Sequence, residues 1–311
     1  MSETVEFYLK RLKDNTSRTS ESILNQFFEY LESDGNKFKG YTPDQLIEYQ
    51  RENRGSYEIL DIVQDWIRTK DNLRKNTLSL YYSTVRGFFA HNRVGFPPDP
   101  RYSIKNGKPK VKGDLTISDL RRVIEASNPM YRAFFMCIVQ GIMGIREAIY
   151  WSDNGLESLR TQLDNEDCPI KIEFPHGRKQ NKNEFYSFIG HDAIAELRKY
   201  FEVREDSQDS IFITRWDSPL SIGTARHYWT RKLKSLALIK EKDPSNYEHP
   251  TQIRYSKNLH EIRDCMRSRW RLSGIDVEIA EFFMGHSDAL DRYGYDKSPW
   301  RNPEYFRAEY M

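Results

Sequence analysis

Toward the carboxyl end of the chain, Leu259-His260-Glu261-Ile262-Arg263 is followed by Met284-Gly285-His286, and a tyrosine, Tyr295, stands nine residues beyond that second histidine. Residues three apart on a helix share a face, so His260 and Arg263 can present an imidazole and a guanidinium to one ligand. A phenol, with an ordinary pKa of about 10, is a poor nucleophile at neutral pH and needs a base and a cationic site to become a good one. Phosphoryl transfer without a metal suits such a set, because its barrier is negative charge building on oxygens, which fixed donors can meet. Two arginines can do this bidentately.

Toward the amino end there are two more elements of the same kind. Gly141-Ile142-Met143-Gly144-Ile145-Arg146 closes an apolar stretch on an arginine, and Gly177-Arg178-Lys179-Gln180-Asn181-Lys182-Asn183 is a polar turn bearing two lysines. Each element alone is weak. With 7 histidines in 311 residues, one His-x-x-Arg arises readily by accident. Met284-Gly285-His286 reads equally well as a helix stop with a left-handed glycine cap, followed by a polar loop. The order and spacing of the four elements together carry the weight.

That order resembles the catalytic signature of the tyrosine recombinase (phage integrase) family, over most of the chain. The resemblance implies that Tyr295 attacks the scissile phosphorus to form a 3′-phosphotyrosyl bond and release a 5′-hydroxyl. Arg146 and Arg263 would hold the nonbridging oxygens, His260 would be the general base, and His286 would hydrogen-bond the phosphate. A turn lysine would protonate the leaving oxygen. Lys179 is favoured and Lys182 is the alternative, as Tyr293 is for the nucleophile. The chain departs from the family where Thr-Gly-Leu-Arg is Met143-Gly144-Ile145-Arg146, where Ile149 replaces a common Glu, and where Asp291-Arg292-Tyr293-Gly294 precedes the tyrosine. Tyr295-Asp296-Lys297-Ser298-Pro299-Trp300 is more similar to integrases of archaeal mobile elements.

These groups need elements to hold them. Ser20–Glu32, a helix opened by Thr42-Pro43, the stripe Ile59, Ile62, Val63 and Trp66, and the stripe Thr77 to Phe89 predict four amphipathic helices, with their aromatics in a core. Turn formers from His91 to Pro100 then mark a boundary. Thr116-Ile117-Ser118-Asp119 opens a new domain as a capping box. Met130 to Ile149 predicts an apolar helical stretch interrupted near Gly141 and Gly144. Ile170–Phe174 and Glu184–Ile189 predict a hairpin around the lysine turn. Further helices follow over 193–201, 224–238, 258–272 and 276–284.

The expected fold is α-rich and two-domain. Residues 1–100 form a helical bundle, which the resemblance makes a core-binding, SAM-like, DNA-binding domain. Residues 101–113 are a basic linker, and residues 114–311 are a mixed α/β catalytic domain with a small antiparallel sheet and a C-terminal tail. The family arrangement would be a C-shaped clamp around the duplex.

Composition agrees with a globular, polar-surfaced protein: 38% apolar, 14% aromatic and 30% charged residues. Net charge is only +2, so charge placement says more than the sum. Arg101, Lys105, Lys108, Lys110 and Lys112 lie in a stretch without acids, suiting a segment along phosphates, as does a solvated linker. Arg74, Lys75 and Arg86 on the fourth helix are the other DNA-binding candidates.

Three scattered cysteines predict neither a disulfide framework nor a zinc site, and no metal, cofactor, ATP, membrane span or export signal is expected. The resemblance further implies double-stranded DNA as substrate and a homotetramer on paired sites passing through a Holliday junction. It implies cytoplasmic action in a prokaryote or from a virus or plasmid, and it leaves a directionality factor open. The aromatics Trp300, Tyr305, Phe306 and Tyr310 suit docking on a neighbouring protomer or on their own domain. The rival readings are a noncatalytic sequence-specific DNA-binding protein and a type IB topoisomerase-like enzyme.

Overall fold

Apolar residues at helical spacing gather into two separate cores. The computed structural model describes residues 2–100, 102–105, 113–175, 184–205, 208–243, 245, 253, 255–274, 276–286 and 302–311. It divides into the compact units Met1–Lys110 and Val111–Met311.

The first unit contains α1 (Glu3–Leu9), α2 (Asp14–Leu31), α3 (Pro43–Glu52), α4 (Glu58–Arg68) and α5 (Lys75–His91). Phe27, Trp66, Phe88 and Phe89 lie fully buried in its core. The expected start at Thr42 is present as a capping box with Pro43 on the first turn, which satisfies orphan amides at that helix end. The sequence pattern predicts four helices here, and α1 is a fifth. Seven residues are too few to show a period, and α1 is held by tertiary contacts. Val5, Tyr8 and Leu9 are buried, and the Thr4 amide and hydroxyl donate to Asp44 Oδ1 at 3.0 and 2.6 Å.

The second unit is mostly helical with a two-stranded antiparallel sheet. Its elements are α6 (Ile117–Glu125), α7 (Pro129–Gln140), α8 (Ile145–Asn154), α9 (Leu156–Asp164), β1 (Ile170–Phe174), β2 (Phe185–Ile189), α10 (His191–Val203), α11 (Ile222–Ser235), α12 (His260–Leu272), α13 (Val277–Phe283) and α14 (Pro303–Tyr310). The predicted hairpin strands pair in register from Ile170 with Ile189 to Phe174 with Phe185. The outer strand β1 is capped by a side chain: Gln162 of α9 accepts from the Lys171 amide at 2.8 Å and donates to its carbonyl at 3.0 Å. An amide group here stands in for a missing strand.

Met130 to Ile149 is two helices, α7 and α8, whose axes turn by 117°. The turn closes by Ile142 N–H to Val139 C=O at 3.4 Å and Met143 N–H to Ile138 C=O at 3.2 Å. The residue that goes left-handed is Ile142, at φ 48°, rather than either glycine. A β-branched residue there costs about 1–2 kcal/mol, which full burial of its side chain offsets. Gly141 is needed for a different reason, since a Cβ on it would lie 2.9 Å from the Cys137 carbonyl oxygen. Helix α9, absent from the sequence expectation, buries Leu156, Leu159 and Leu163.

Helix α14 packs on its own unit. Phe306 is buried against Phe282, Phe283 and Tyr186, and the Tyr310 hydroxyl donates to the Gln140 carbonyl at 3.3 Å. Among the described residues no single helix is long and apolar enough to cross a membrane.

Candidate active site

Helix α12 is fixed at its start before its functional side chains begin. Lys257 Nζ donates to Asp119 Oδ2 at 2.7 Å and to the Asp114 carbonyl at 3.1 Å, and the Lys257 carbonyl accepts from Trp229 Nε1 at 2.9 Å. Asp119 also completes the capping box of α6, accepting from the amide and hydroxyl of the N-cap residue Thr116. Burial would raise the Asp119 carboxyl, but hydrogen bonds from Lys257 and Thr116 outweigh it and hold the pKa below the ordinary aspartate value. The His260 amide then donates to Asn258 Oδ1 at 3.0 Å, which starts the helix.

His260 and Arg263 follow on the first turn, with unlike surroundings. His260 is exposed, whereas Arg263 is 3% exposed. Arg263 Nη2 donates to the Met284 carbonyl and lies 3.2 Å from His286 Nε2. Two motifs more than twenty residues apart in sequence are therefore in direct contact through one guanidinium nitrogen.

His286 is set by the end of α13. Gly285 takes φ 66°, its amide donates to the Phe282 carbonyl at 2.7 Å, and the His286 amide donates to the Glu281 carbonyl at 3.1 Å. This pair of bonds is a Schellman cap, which reverses the chain immediately after the helix. A Cβ at Gly285 would also sit 2.7 Å from the Phe185 ring, so glycine is required twice over. The turn returns the His286 ring to Glu281, whose Oε2 is hydrogen-bonded to His286 Nδ1 and whose Oε1 accepts from Arg267 Nε. Burial would push the Glu281 carboxyl up. The hydrogen bonds from His286 and Arg267, with the Arg267 charge, bring it below the ordinary glutamate value.

Strand β2 ties this corner to the other arginine motif. Phe185 abuts Gly285, and Ser187, two residues along and on the same face of the strand, donates to the Gly141 carbonyl at 2.7 Å. Gly141 opens the turn that delivers Arg146 to the first turn of α8. Arg146 is exposed and, among the described residues, has no hydrogen-bond or ion-pair partner. One buried strand thus braces both turns that carry candidate phosphate ligands.

Lys179, Lys182, Tyr293 and Tyr295 lie outside the described residues, as do Lys108, Lys110 and Lys112. The first two fall between the paired strands, and the tyrosines fall between the Gly285 cap and α14. In the first unit Arg74 is half-buried at the N-cap of α5, while Lys75 and Arg86 are exposed on that helix, and Lys105 is exposed beyond it. Arg86 lies 5.5 Å from the Tyr82 ring centroid, a cation–π distance. Helix α5 contains no acidic residue, unlike α2, α3 and α4.

Sequence reasoning missed Glu281, Arg267, Lys257 and Ser187. Glu281 contacts His286 five residues on only because the left-handed glycine reverses the chain, a spacing that no helical or strand period picks out. Ser187 is hidden in an otherwise apolar strand.

No family model and no curated protein matches the chain. Solved structures do. The Tn1549 transposon integrase in complex with transposon right-end DNA superposes with a TM-score of 0.60 at 12% identity, over 98% of each chain. The XerH site-specific recombinase bound to palindromic difH substrate, in a post-cleavage complex, gives 0.54 at 13% identity, over 92% of this chain and 88% of that one. Similarity of this extent at such low identity is a statement about backbone architecture, and by that measure the chain has the fold of these tyrosine recombinases.

Proposed function

We propose that this protein is a site-specific DNA recombinase that cuts and rejoins double-stranded DNA through a 3′-phosphotyrosyl intermediate. The observation that supports this most strongly is the meeting of two separate motifs, Arg263 Nη2 within 3.2 Å of His286 Nε2, beside a strand that also braces the turn bearing Arg146. Such an arrangement offers guanidinium and imidazole groups to one anion from a fixed frame, which is how catalysis by preorganised electrostatics works.

In this reading Tyr295 attacks phosphorus as its proton passes to His260. Arg146 and Arg263 neutralise the nonbridging oxygens in the five-coordinate transition state, with His286 hydrogen-bonded to one of them. Lys179, or Lys182 in its place, protonates the departing 5′-oxygen. The phosphotyrosyl bond keeps the energy of the phosphodiester, so a 5′-hydroxyl can reverse the reaction onto a new strand without ATP. Four protomers on two sites would exchange strands in pairs through a Holliday junction. The first unit, through Arg74, Lys75 and Arg86, and the basic segment with Lys105, Lys108, Lys110 and Lys112, would supply phosphate contacts. The protein would act in the cytoplasm of a prokaryotic cell.

The test is to incubate the protein with supercoiled DNA of its host and element, stop with detergent, and look for a covalent protein–DNA adduct. An adduct abolished by Tyr295→Phe and retained by Tyr293→Phe is the expected result. DNA binding without any adduct would replace this reading with a noncatalytic DNA-binding protein. An adduct lost only in Tyr293→Phe would move the nucleophile.

A further inference from the structure

We infer that Glu281 is a positioning residue: its carboxylate, shared between Arg267 and His286, fixes the His286 ring as the Nδ1–H tautomer with Nε2 turned to Arg263. The functional part of this inference rests on the reading of His286 as a phosphate ligand, whereas the tautomer does not.

The argument is one of donor and acceptor capacity. An ionised carboxylate only accepts hydrogen bonds, so the contact between Glu281 Oε2 and His286 Nδ1 puts a proton on Nδ1. A guanidinium only donates, so Arg263 Nη2 at 3.2 Å from Nε2 requires a lone pair on that nitrogen. Both neighbours demand the same neutral tautomer, and it is the reverse of the Nε2–H form that unconstrained histidine favours. Glu281 holds both parts of His286, the backbone amide through its own carbonyl at 3.1 Å and the ring through its carboxylate.

Arg267 in turn holds the carboxylate through Nε, and it lies one helical turn after Arg263 on α12. The result is an alternating row, Arg263, His286, Glu281, Arg267, crossing from α12 to α13 and back. Within such a row each hydrogen bond polarises the next. A phosphate oxygen also only accepts, so a ring that meets one must give up its bond from Arg263 Nη2 and take a second proton, from solvent, on Nε2. Glu281 then balances the imidazolium while keeping the ring plane unchanged. Without the carboxylate, the ring can rotate and swap tautomer, and its alignment with Arg263 is lost.

The experiment is long-range proton–nitrogen correlation on the full-length protein labelled with 15N-histidine, with His286 assigned by comparison with His286→Ala. The wild-type spectrum at neutral pH should show a neutral His286 protonated on Nδ1, and Glu281→Ala should shift it toward Nε2–H. A wild-type ring protonated on Nε2 would overturn the inference even if the variant failed to fold.

A double-mutant cycle on adduct formation supplies the functional arm. Glu281→Ala should slow adduct formation about tenfold in the wild-type background and have no further effect in a His286→Ala background. A further tenfold loss in that background would show that Glu281 does not act through His286. If no DNA gives an adduct while the Nδ1–H signature is present, the recombinase reading fails and the positioning of the ring stands.

Discussion

Arg146 and Arg263 carry the same group and the same proposed task, yet one is exposed on the first turn of α8 and the other is 3% exposed between α12 and α13. For Arg146 the fold invests in the approach rather than in the side chain: the left-handed Ile142, the close-packed Gly141 and the Ser187 bond shape the turn that presents it. For Arg263 the side chain is itself part of the packing, since it bonds the last carbonyl before the glycine cap and touches His286. One arginine is displayed by structure, and the other is structure. Losing them should therefore look alike in an activity assay and different in a melting curve.

The largest effect tests that contrast directly. Both Arg146→Ala and Arg263→Ala should cut adduct formation by about 100- to 1,000-fold, the usual scale for removing one charge-stabilising donor. Chemical denaturation should separate them. Arg146→Ala is expected within about 0.5 kcal/mol of wild type, as for an exposed substitution. Arg263→Ala should cost about 3 kcal/mol, because it strips a buried carbonyl and a histidine of their donor. Equal stabilities for the two variants would break the comparison.

Two glycines sharpen it. Gly285 and Gly274 are both left-handed, at φ 66° and 80°, but only Gly285 has a neighbour within 4 Å of a would-be Cβ, the Phe185 ring. Gly274→Ala should cost about 1 kcal/mol from backbone strain alone. Gly285→Ala should cost about 2–3 kcal/mol, because overlap with a buried ring adds to the same strain. Thermal denaturation of the two variants reads the difference. Similar shifts would mean that Phe185 yields easily and does not fix the cap.

These contacts mark where the sequence stopped being legible. The helices with long apolar stripes, the hairpin and the Thr116 capping box follow patterns of period 3.6 or 2, or a fixed local motif, and so can be read without tertiary knowledge. Helix α1 is too short to show a period. The bend between α7 and α8 places its left-handed residue at Ile142, against the local preference that points to Gly141 or Gly144, because tertiary burial overrides it. In the candidate site, residue types and order mark Arg146, His260, Arg263 and His286. The groups that orient them, Glu281, Lys257 and Ser187, lie outside those motifs, since each acts through a contact that only the folded chain creates.

The two carboxylates that brace α12 give the smallest and most diagnostic test. Asp119 meets Lys257 ahead of the helix, with the two side chains 13% and 14% exposed, whereas Glu281 meets Arg267, which is 48% exposed. Both carboxyls are held below their ordinary values. A depressed folded pKa stabilises the protein above the unfolded value and loses that contribution as pH falls through the folded one. Lys257→Met should therefore destabilise the protein by about 1–2 kcal/mol at pH 7, and the gap to wild type should close as the pH drops below about 4 and Asp119 protonates. Arg267→Met should show the same closing from a smaller starting gap, because water already screens that pair. Stability measured from pH 7 down to pH 2 in both variants distinguishes the two ends of the helix. A gap for Lys257→Met that stays constant across this range would mean that the lysine stem packs against its neighbours and its charge does not hold α12 in place.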